Sequence, residues 1–272
     1  MFSAEDTKLN KLSLKRFLQN LVLFQVGNRS FYCRPGTSDF KSASEAQSSY
    51  SFLVRNLPPG PVCVVDAGAN IGGFSAWCAD ALGDREDKQR YFAYEPVKEH
   101  YELAKRNIMF NGLSHKIRLH MSALDRVSGN DVMRRPKKYS QNYRDSLVAS
   151  VTEDYTEEAI RKLDVRSEFD VWTASLRSGY LLVKVDVEGY ERIVVQRLVQ
   201  TYRARKRAFQ LKVVLEYSHD MLPLFSEFRA FIDFLKSKNA EDLTYNQAFY
   251  KSRGSFESKC ANSASIIKFC MA

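Results

Sequence analysis

Three short runs of the 272-residue chain set carboxylates beside glycines or beside other ionisable groups, the residue types that hold polar ligands and move protons. The first is Val64-Val65-Asp66-Ala67-Gly68-Ala69-Asn70-Ile71-Gly72-Gly73, an apolar run that ends in a glycine-bearing turn and passes into a helix-forming stretch. A turn of this kind brings backbone amides close to a ligand. As a dinucleotide fingerprint it fails at one place, because Asn70 stands where a second glycine must let the backbone approach a pyrophosphate. Asp66 adds a charge of the wrong sign for phosphate. It suits instead a ligand that carries an ammonium and a sulfonium, and S-adenosylmethionine is such a ligand. The second run is Glu95-Pro96, 22 residues after Gly73, about where an acidic side chain reaches ribose hydroxyls in nucleotide-binding α/β folds. Asp66, Gly68, Asn70, Gly72 and Glu95 are therefore the candidate cofactor contacts.

The third run is Lys184-Val185-Asp186-Val187-Glu188-Gly189-Tyr190-Glu191, and Leu215-Glu216-Tyr217-Ser218-His219-Asp220 follows it after one more helix-sized stretch. In open α/β sheets ligands bind beyond the carboxyl ends of strands, so side chains that finish strands are the ones to expect in a site. Asp186 is on that ground the first candidate for a catalytic or acceptor-orienting group, with Glu216 and His219 as neighbours. An ordinary histidine pKa of about 6.5 suits a general base, and a hydrogen-bonded loop histidine is the plain alternative. Lys184 faces the side of its strand opposite Val185, where it is placed to pair with Asp186. Glu188 and Glu191 stand at the start of a helix, where carboxylates suit the dipole and the free amides. Asp186, Glu216 and His219 could also surround a divalent ion, but their spacing does not establish one, and no metal is assigned.

Such side chains need a sheet to carry them. Cys63 to Asp66 reads as a buried parallel strand, Phe74 to Leu82 as a helix, Arg90 to Glu95 as a strand, Val97 to Phe110 as a helix and Ile117 to Leu124 as a third strand. From Asp125 to Gly179 a polar stretch is too long for a simple connection, so an insertion is expected there, with a helix at Glu157 to Asp164. The alternation then resumes with strand Tyr180 to Asp186, helix Glu188 to Tyr202, strand Leu211 to Tyr217 and helix Phe225 to Lys238. Ser265 to Cys270 reads as a final strand, with Leu243 to Tyr250 as a candidate partner. This order predicts a parallel sheet covered on both faces. Ahead of Pro58-Pro59-Gly60 the leucine spacing predicts a helix over about Lys8 to Phe24, then a β-like segment at Ser30 to Cys33. The expected division is an N-terminal helical extension over residues 1–57 and an α/β domain over 58–272 that carries the insertion 125–179.

Composition bounds the rest. With 44% hydrophobic and 27% charged residues the chain is neither disordered nor collagen-like, and its apolar runs are strand-sized, too short to cross a bilayer. Five scattered cysteines without a CxxC pair argue against a disulfide framework and a zinc site, so a reducing, cytoplasmic location is expected. The net charge of +9 favours an acidic partner or surface. Inside the insertion, Arg134-Arg135-Pro136-Lys137-Lys138-Tyr139 interleaves cations with aromatics, the composition of a grip on nucleic acid or another anion.

Taken in order, these motifs resemble the FkbM-type family of S-adenosylmethionine-dependent methyltransferases. The pieces are Arg34-Pro35-Gly36-Thr37-Ser38-Asp39, Asp66 to Gly73, Glu95-Pro96 and Lys184 to Glu191, and the likeness covers about Phe31 to Tyr217 outside the insertion. It implies a doubly wound, mostly parallel, seven-stranded Rossmann-like sheet of class I type, S-adenosylmethionine as cofactor, and O-methylation of a sugar or small-molecule hydroxyl. It also implies that Thr37, Ser38 and Asp39 close over the cofactor. Ser122 and Ala123 fall where related folds set small residues against an adenine ring, and a plain strand end is the other reading. A hydroxyl is a poor nucleophile. Holding the reacting atoms in line is worth roughly 7 to 11 kcal/mol, and a positioned base adds about 10² to 10⁴ in rate. Two rival functions stay open: a ribose 2′-O methyltransferase acting on RNA through the basic insertion, and a non-catalytic module that binds the cofactor or nucleic acid.

Overall fold

A computed structural model describes residues 20–83, 89–136, 155–205, 208–218, 225–245 and 264–271. His219, Lys137, Lys138 and most of the helix expected near the start lie outside them. Chain order begins with an antiparallel hairpin, β1 (Val22–Val26) and β2 (Arg29–Cys33), where the helix expected to run to Phe24 gives way to strand. Branched and aromatic residues before Gly27, whose φ of 57° is the left-handed value a tight hairpin needs, favour the turn over continued helix. Two helices that the sequence pattern does not announce follow, α1 (Asp39–Ser44) and α2 (Ala46–Val54).

The alternating part begins with β3 (Val62–Ala67), α3 (Gly73–Leu82), β4 (Gln89–Tyr94), α4 (Lys98–Phe110) and β5 (Ile117–His120). The strand expected over Ile117 to Leu124 is broken at Met121-Ser122, and its second half, β6 (Ala123–Asp125), joins another sheet. That sheet, in the order β6-β8-β7, is what the insertion folds into, with β7 (Gly129–Pro136) and β8 (Tyr155–Asp164) as its hairpin arms. The helix expected at Glu157 to Asp164 is therefore a strand. Its charges at helix-like spacing meet opposite charges across the ladder instead: Arg134 lies 3.7 Å from Glu157, and Lys162 lies 2.7 Å from Asp131. Helix begins only at α5 (Val165–Thr173), where the Asp164 side chain caps the Arg166 amide at 2.9 Å.

The main sheet is completed by β9 (Tyr180–Val185), α6 (Glu191–Arg205), β10 (Gln210–Ser218), α7 (Phe225–Ser237), β11 (Glu241–Tyr245) and β12 (Ala264–Met271). Its seven strands run in the order β11-β12-β10-β9-β3-β4-β5, with β10, β9, β3, β4 and β5 mutually parallel and β12 antiparallel between β10 and β11. The chain builds outward from β3 in one direction and resumes at β9 in the other. This reversal opens a crevice beyond the carboxyl ends of β3 and β9. Period-two alternation sends Cys63, Val65, Leu181 and Val183 into the core on one face, and Val62, Val64 and Leu182 into the core on the other. On that second face Tyr50 and Leu53 of α2 pack beside Phe74 of α3. Among the described residues no helix is long and apolar enough to cross a membrane.

Candidate active site

The turn after β3 is pinned to β4, because the amides of Gly68 and Ala69 both donate to the Tyr94 carbonyl, at 3.0 and 2.9 Å. Gly68 has φ +78°, and a Cβ there would sit 1.8 Å from the Asp186 carbonyl oxygen. The glycine is thus required by another backbone, that of the segment leaving β9. Asn70 is also left-handed, and its amide donates at 2.8 Å to Glu95 Oε2. The other oxygen of Glu95 accepts from the Val97 amide at 3.0 Å, so one carboxylate ties the turn to the start of α4.

Around these groups a cleft opens at the reversal point, beyond the carboxyl ends of β3 and β9. Gly68, Asn70, Glu95 and Asp186 line its polar side. Val97, Ala123, Leu124 and Met133 line the apolar side, and Ile160 packs against three of these four. Met133 comes from the inserted sheet, which therefore builds a wall of the cleft. The hydrophobicity pattern offers no cue to that role. Tyr190, on the loop opposite, also lines the cleft, and its hydroxyl donates to Asp125 at 3.1 Å. Ser122 is buried behind Ala123, and its Oγ has no hydrogen-bond partner among the described residues, nor does Asn70 Oδ1. Gly72, at φ +86°, starts α3 and lies behind the turn.

Two expected cofactor contacts point elsewhere. Asp66 is fully buried under the turn, accepting from Ser75 Oγ at 2.6 Å and facing Lys184 Nζ at 3.3 Å. Burial pushes its carboxyl above the ordinary range, and the lysine and serine oppose that rise. Asp39, also fully buried, is held by the fork of Arg34, with contacts of 2.8 and 2.6 Å, and closes the Arg34 to Asp39 turn on itself.

A second cluster borders the cleft. Asp66 and Lys184 are direct partners across β3 and β9, and Lys184 is opposite Val214 on β10, so Glu216 projects from the same face two residues further on. Lys184 is 4% exposed on its side chain; its ammonium donates to the Gly68 carbonyl at 2.5 Å and lies 3.4 Å from Asp186 Oδ2. Burial lowers its pKa, but Asp186 and Asp66 outweigh that and hold it above the usual lysine value. Asp186 keeps 27% of its side chain exposed at the rim of the cleft. Glu216 is pushed up to about 7, by burial first and then by the charges of Asp186 and Glu45. Tyr50 of α2 reaches both carboxylates, its hydroxyl 3.3 Å from Asp186 and 3.5 Å from Glu216. It is a member of the cluster that sequence reasoning misses, since one aromatic among serines reads as core.

Glu191 is fully buried and accepts from the amides of Gly189 and Val187, fixing the loop that lines the cleft between them. Burial pushes its carboxyl up to about 8. Arg135 bridges Glu99 at 3.0 Å and Glu158 at 2.9 Å, and Arg134 lies over the Tyr155 ring.

Six strands that run one way, a single antiparallel strand next to the edge, and a cleft at the reversal point define the class I methyltransferase fold. The chain belongs to the FkbM methyltransferase family: residues 66–245 match the family profile described as "Methyltransferase FkbM domain". It is similar to methyltransferase sdnD of Sordaria araneosa, 30% identical over 146 residues, which is 53% of this chain and 50% of that protein. The chain thus spans about half the length of this curated relative. Among solved structures it is similar to the methyltransferase FkbM from Methylobacillus flagellatus, with 13% identity and a TM-score of 0.42, covering 97% of this chain and 60% of that one. It is also similar to an S-adenosylmethionine-dependent O-methyltransferase from Thermotoga maritima, with 12% identity and a TM-score of 0.43, covering 82% and 64%.

The cofactor of this family is S-adenosylmethionine, and the cleft fits it. A carboxylate at the end of β4 is available to ribose hydroxyls, an apolar wall to the adenine, and the orphaned Asn70 oxygen to the ligand's hydrogen-bond donors.

Proposed function

We propose that the chain transfers a methyl group from S-adenosylmethionine to a hydroxyl oxygen of a small molecule or sugar. The observation that carries this reading is the position of Asp186, a partly exposed carboxylate on the rim of the cofactor cleft with Lys184 and Glu216 behind it. When bound, the cofactor supplies an electrophilic methyl group. Gly68 and Asn70 of the turn, with Glu95 and Ala123, would hold the nucleoside, and Asp186 would accept the hydrogen bond of the acceptor hydroxyl and set its direction. Glu216, with a pKa of about 7, is the group in the cluster whose proton affinity suits neutral pH, so it takes up the proton that methylation releases. Lys184 anchors Asp186 from behind while it also faces Asp66.

The engagement of Arg134 and Arg135 by Glu157, Glu99 and Glu158 supports a structural role for that part of the insertion over a grip on RNA phosphates. Cys33, Cys63, Cys78 and Cys270 are free thiols, which supports a reducing, cytoplasmic setting. The test is transfer of labelled methyl from the cofactor to fractionated sugar, metabolite and RNA pools, with wild type beside Asp186→Asn. Label is expected in a small-molecule pool and should fall by about 10² or more in the variant, with cofactor affinity and melting temperature kept. Label in RNA alone, or in no pool, overturns the reading.

A further inference from the structure

The acceptor side of the site is completed by a helix that lies outside the residues matching the family profile. Tyr50 sits on α2, 6% exposed, its ring edge-on to Phe74 at 5.2 Å and 5.8 Å from the Lys184 ammonium. Its hydroxyl has one proton and two carboxylate neighbours, Asp186 Oδ2 at 3.3 Å and Glu216 Oε2 at 3.5 Å. Both distances are long for an O–H···O bond, and the hydroxyl can turn its one proton to either acceptor.

Asp186 and Glu216 leave neighbouring strands on the same face, and the charge of Asp186 opposes the ionisation of Glu216. The described ion pairs of Lys184 are with Asp66 and Asp186, so the ammonium bridges toward β3 and leaves the β10 side to another donor. We propose that this donor is Tyr50, acting as the positioning residue of the acceptor-side pair. The proposal rests on the reading of Asp186 and Glu216 given above. The Tyr50 hydroxyl ties Glu216 to Asp186, the member of the pair on the rim of the cleft, and favours the ionised form of Glu216, so α2 is part of the acceptor site.

The surroundings keep the phenol a donor. Burial, then the charges of Asp186, Glu216, Asp66 and Glu45, push its ionisation well above the ordinary tyrosine value. The charged groups that face the pair are Asp66 from β3, Lys184 from β9, and Lys41 and Glu45 from α1 and its junction with α2. None of these donates to Glu216 in a described hydrogen bond. Tyr50 is thus the one described hydrogen-bond donor to that carboxyl group.

The experiment follows the carboxyl carbons of ¹³C-labelled glutamate through a pH titration by NMR, with Glu216→Gln to assign the Glu216 signal. Tyr50→Phe keeps the ring against Phe74 and removes the donor. The Glu216 midpoint should then rise by about 0.5 to 1 pH unit, the equivalent of one modest hydrogen bond. Replacing Tyr50 by 3,5-difluorotyrosine, a stronger donor of nearly the same shape, should move the midpoint down, and this guards against a Tyr50→Phe chain that folds poorly. With the pool that takes up label, turnover of Tyr50→Phe at pH 7 should fall about two- to fivefold, as the ionised share of Glu216 shrinks, and recover as the pH is raised, with S-adenosylmethionine affinity unchanged. A Glu216 midpoint that moves in neither variant overturns the proposal and leaves Tyr50 as a packing residue. Shifted midpoints in a protein that labels no hydroxyl pool uphold the positioning role and refute the acceptor reading instead.

Discussion

Replacing Lys184 by methionine removes one charge from the middle of the sheet while nearly keeping the volume, and the cost can be worked out from Asp66. In the variant the fully buried Asp66 retains Ser75 as donor and loses the ammonium 3.3 Å away. A carboxylate stranded in this way escapes by taking up a proton. That escape costs about 1.36 kcal/mol for each pH unit above the ordinary value of 3.8. The pH-dependent penalty is therefore capped at about 4 kcal/mol at pH 7 and about 1.6 kcal/mol at pH 5. Orphaning the Gly68 carbonyl adds about 1 to 2 kcal/mol at any pH. The folded-state pKa of Asp66 is raised above its unfolded value, so stability is present at low pH and lost as the pH climbs from about 4 toward 7. Urea unfolding at half-unit steps should show the deficit of Lys184→Met shrinking in acid to that pH-independent remainder and growing toward neutrality. Adding Asp66→Asn should restore most of the pH-dependent part. A loss that is the same at every pH, or a double variant no better than the single, would refute the assignment of Asp66 as the partner Lys184 compensates.

Glu95→Ala should weaken S-adenosylmethionine binding by about 1.5 to 3 kcal/mol by calorimetry, and an unchanged affinity would remove Glu95 from the ribose side of the cleft. Glu191, pushed up to about 8 from an ordinary 4.5, makes the wild type lose stability as the pH rises between those values. Glu191→Gln should flatten that slope, so urea midpoints at pH 5 and 8 that stay as far apart as in wild type count against it. Gly68→Ala must push the Asp186 carbonyl aside from a left-handed position, and a drop of at least about 2 kcal/mol in stability is expected, with cofactor binding lost alongside; a melting scan and one titration check both.

Much of the main sheet is legible because its strands are buried on both faces. Val62 to Val65 and Leu181 to Val183 are continuous apolar runs that suit no exposed helix. The carboxyl-end rule then brings Asp186 and Glu216 together, as far as a one-dimensional pattern can. The inserted sheet is illegible for the opposite reason. Among its strands β8 buries Ile160 fully but leaves most of its length polar, so alternation has nothing to write with, and charges at helical spacing mimic a helix. The inward turn of Asp66 depends on a lysine more than a hundred residues away. No local signal marks it. Tyr50 is hidden likewise, since its chemistry comes from what two distant strands place opposite it. The same holds for Asp39, whose carboxylate answers Arg34 within its own turn.

The meeting of Gly68 with the carbonyl of Asp186 also bears on how the cleft can move. Because one backbone rests on the other, the turn after β3 and the segment after β9 form a single casting. A shift of either segment is carried to the other, so the turn beside Glu95 and the rim that bears Asp186 move as one piece.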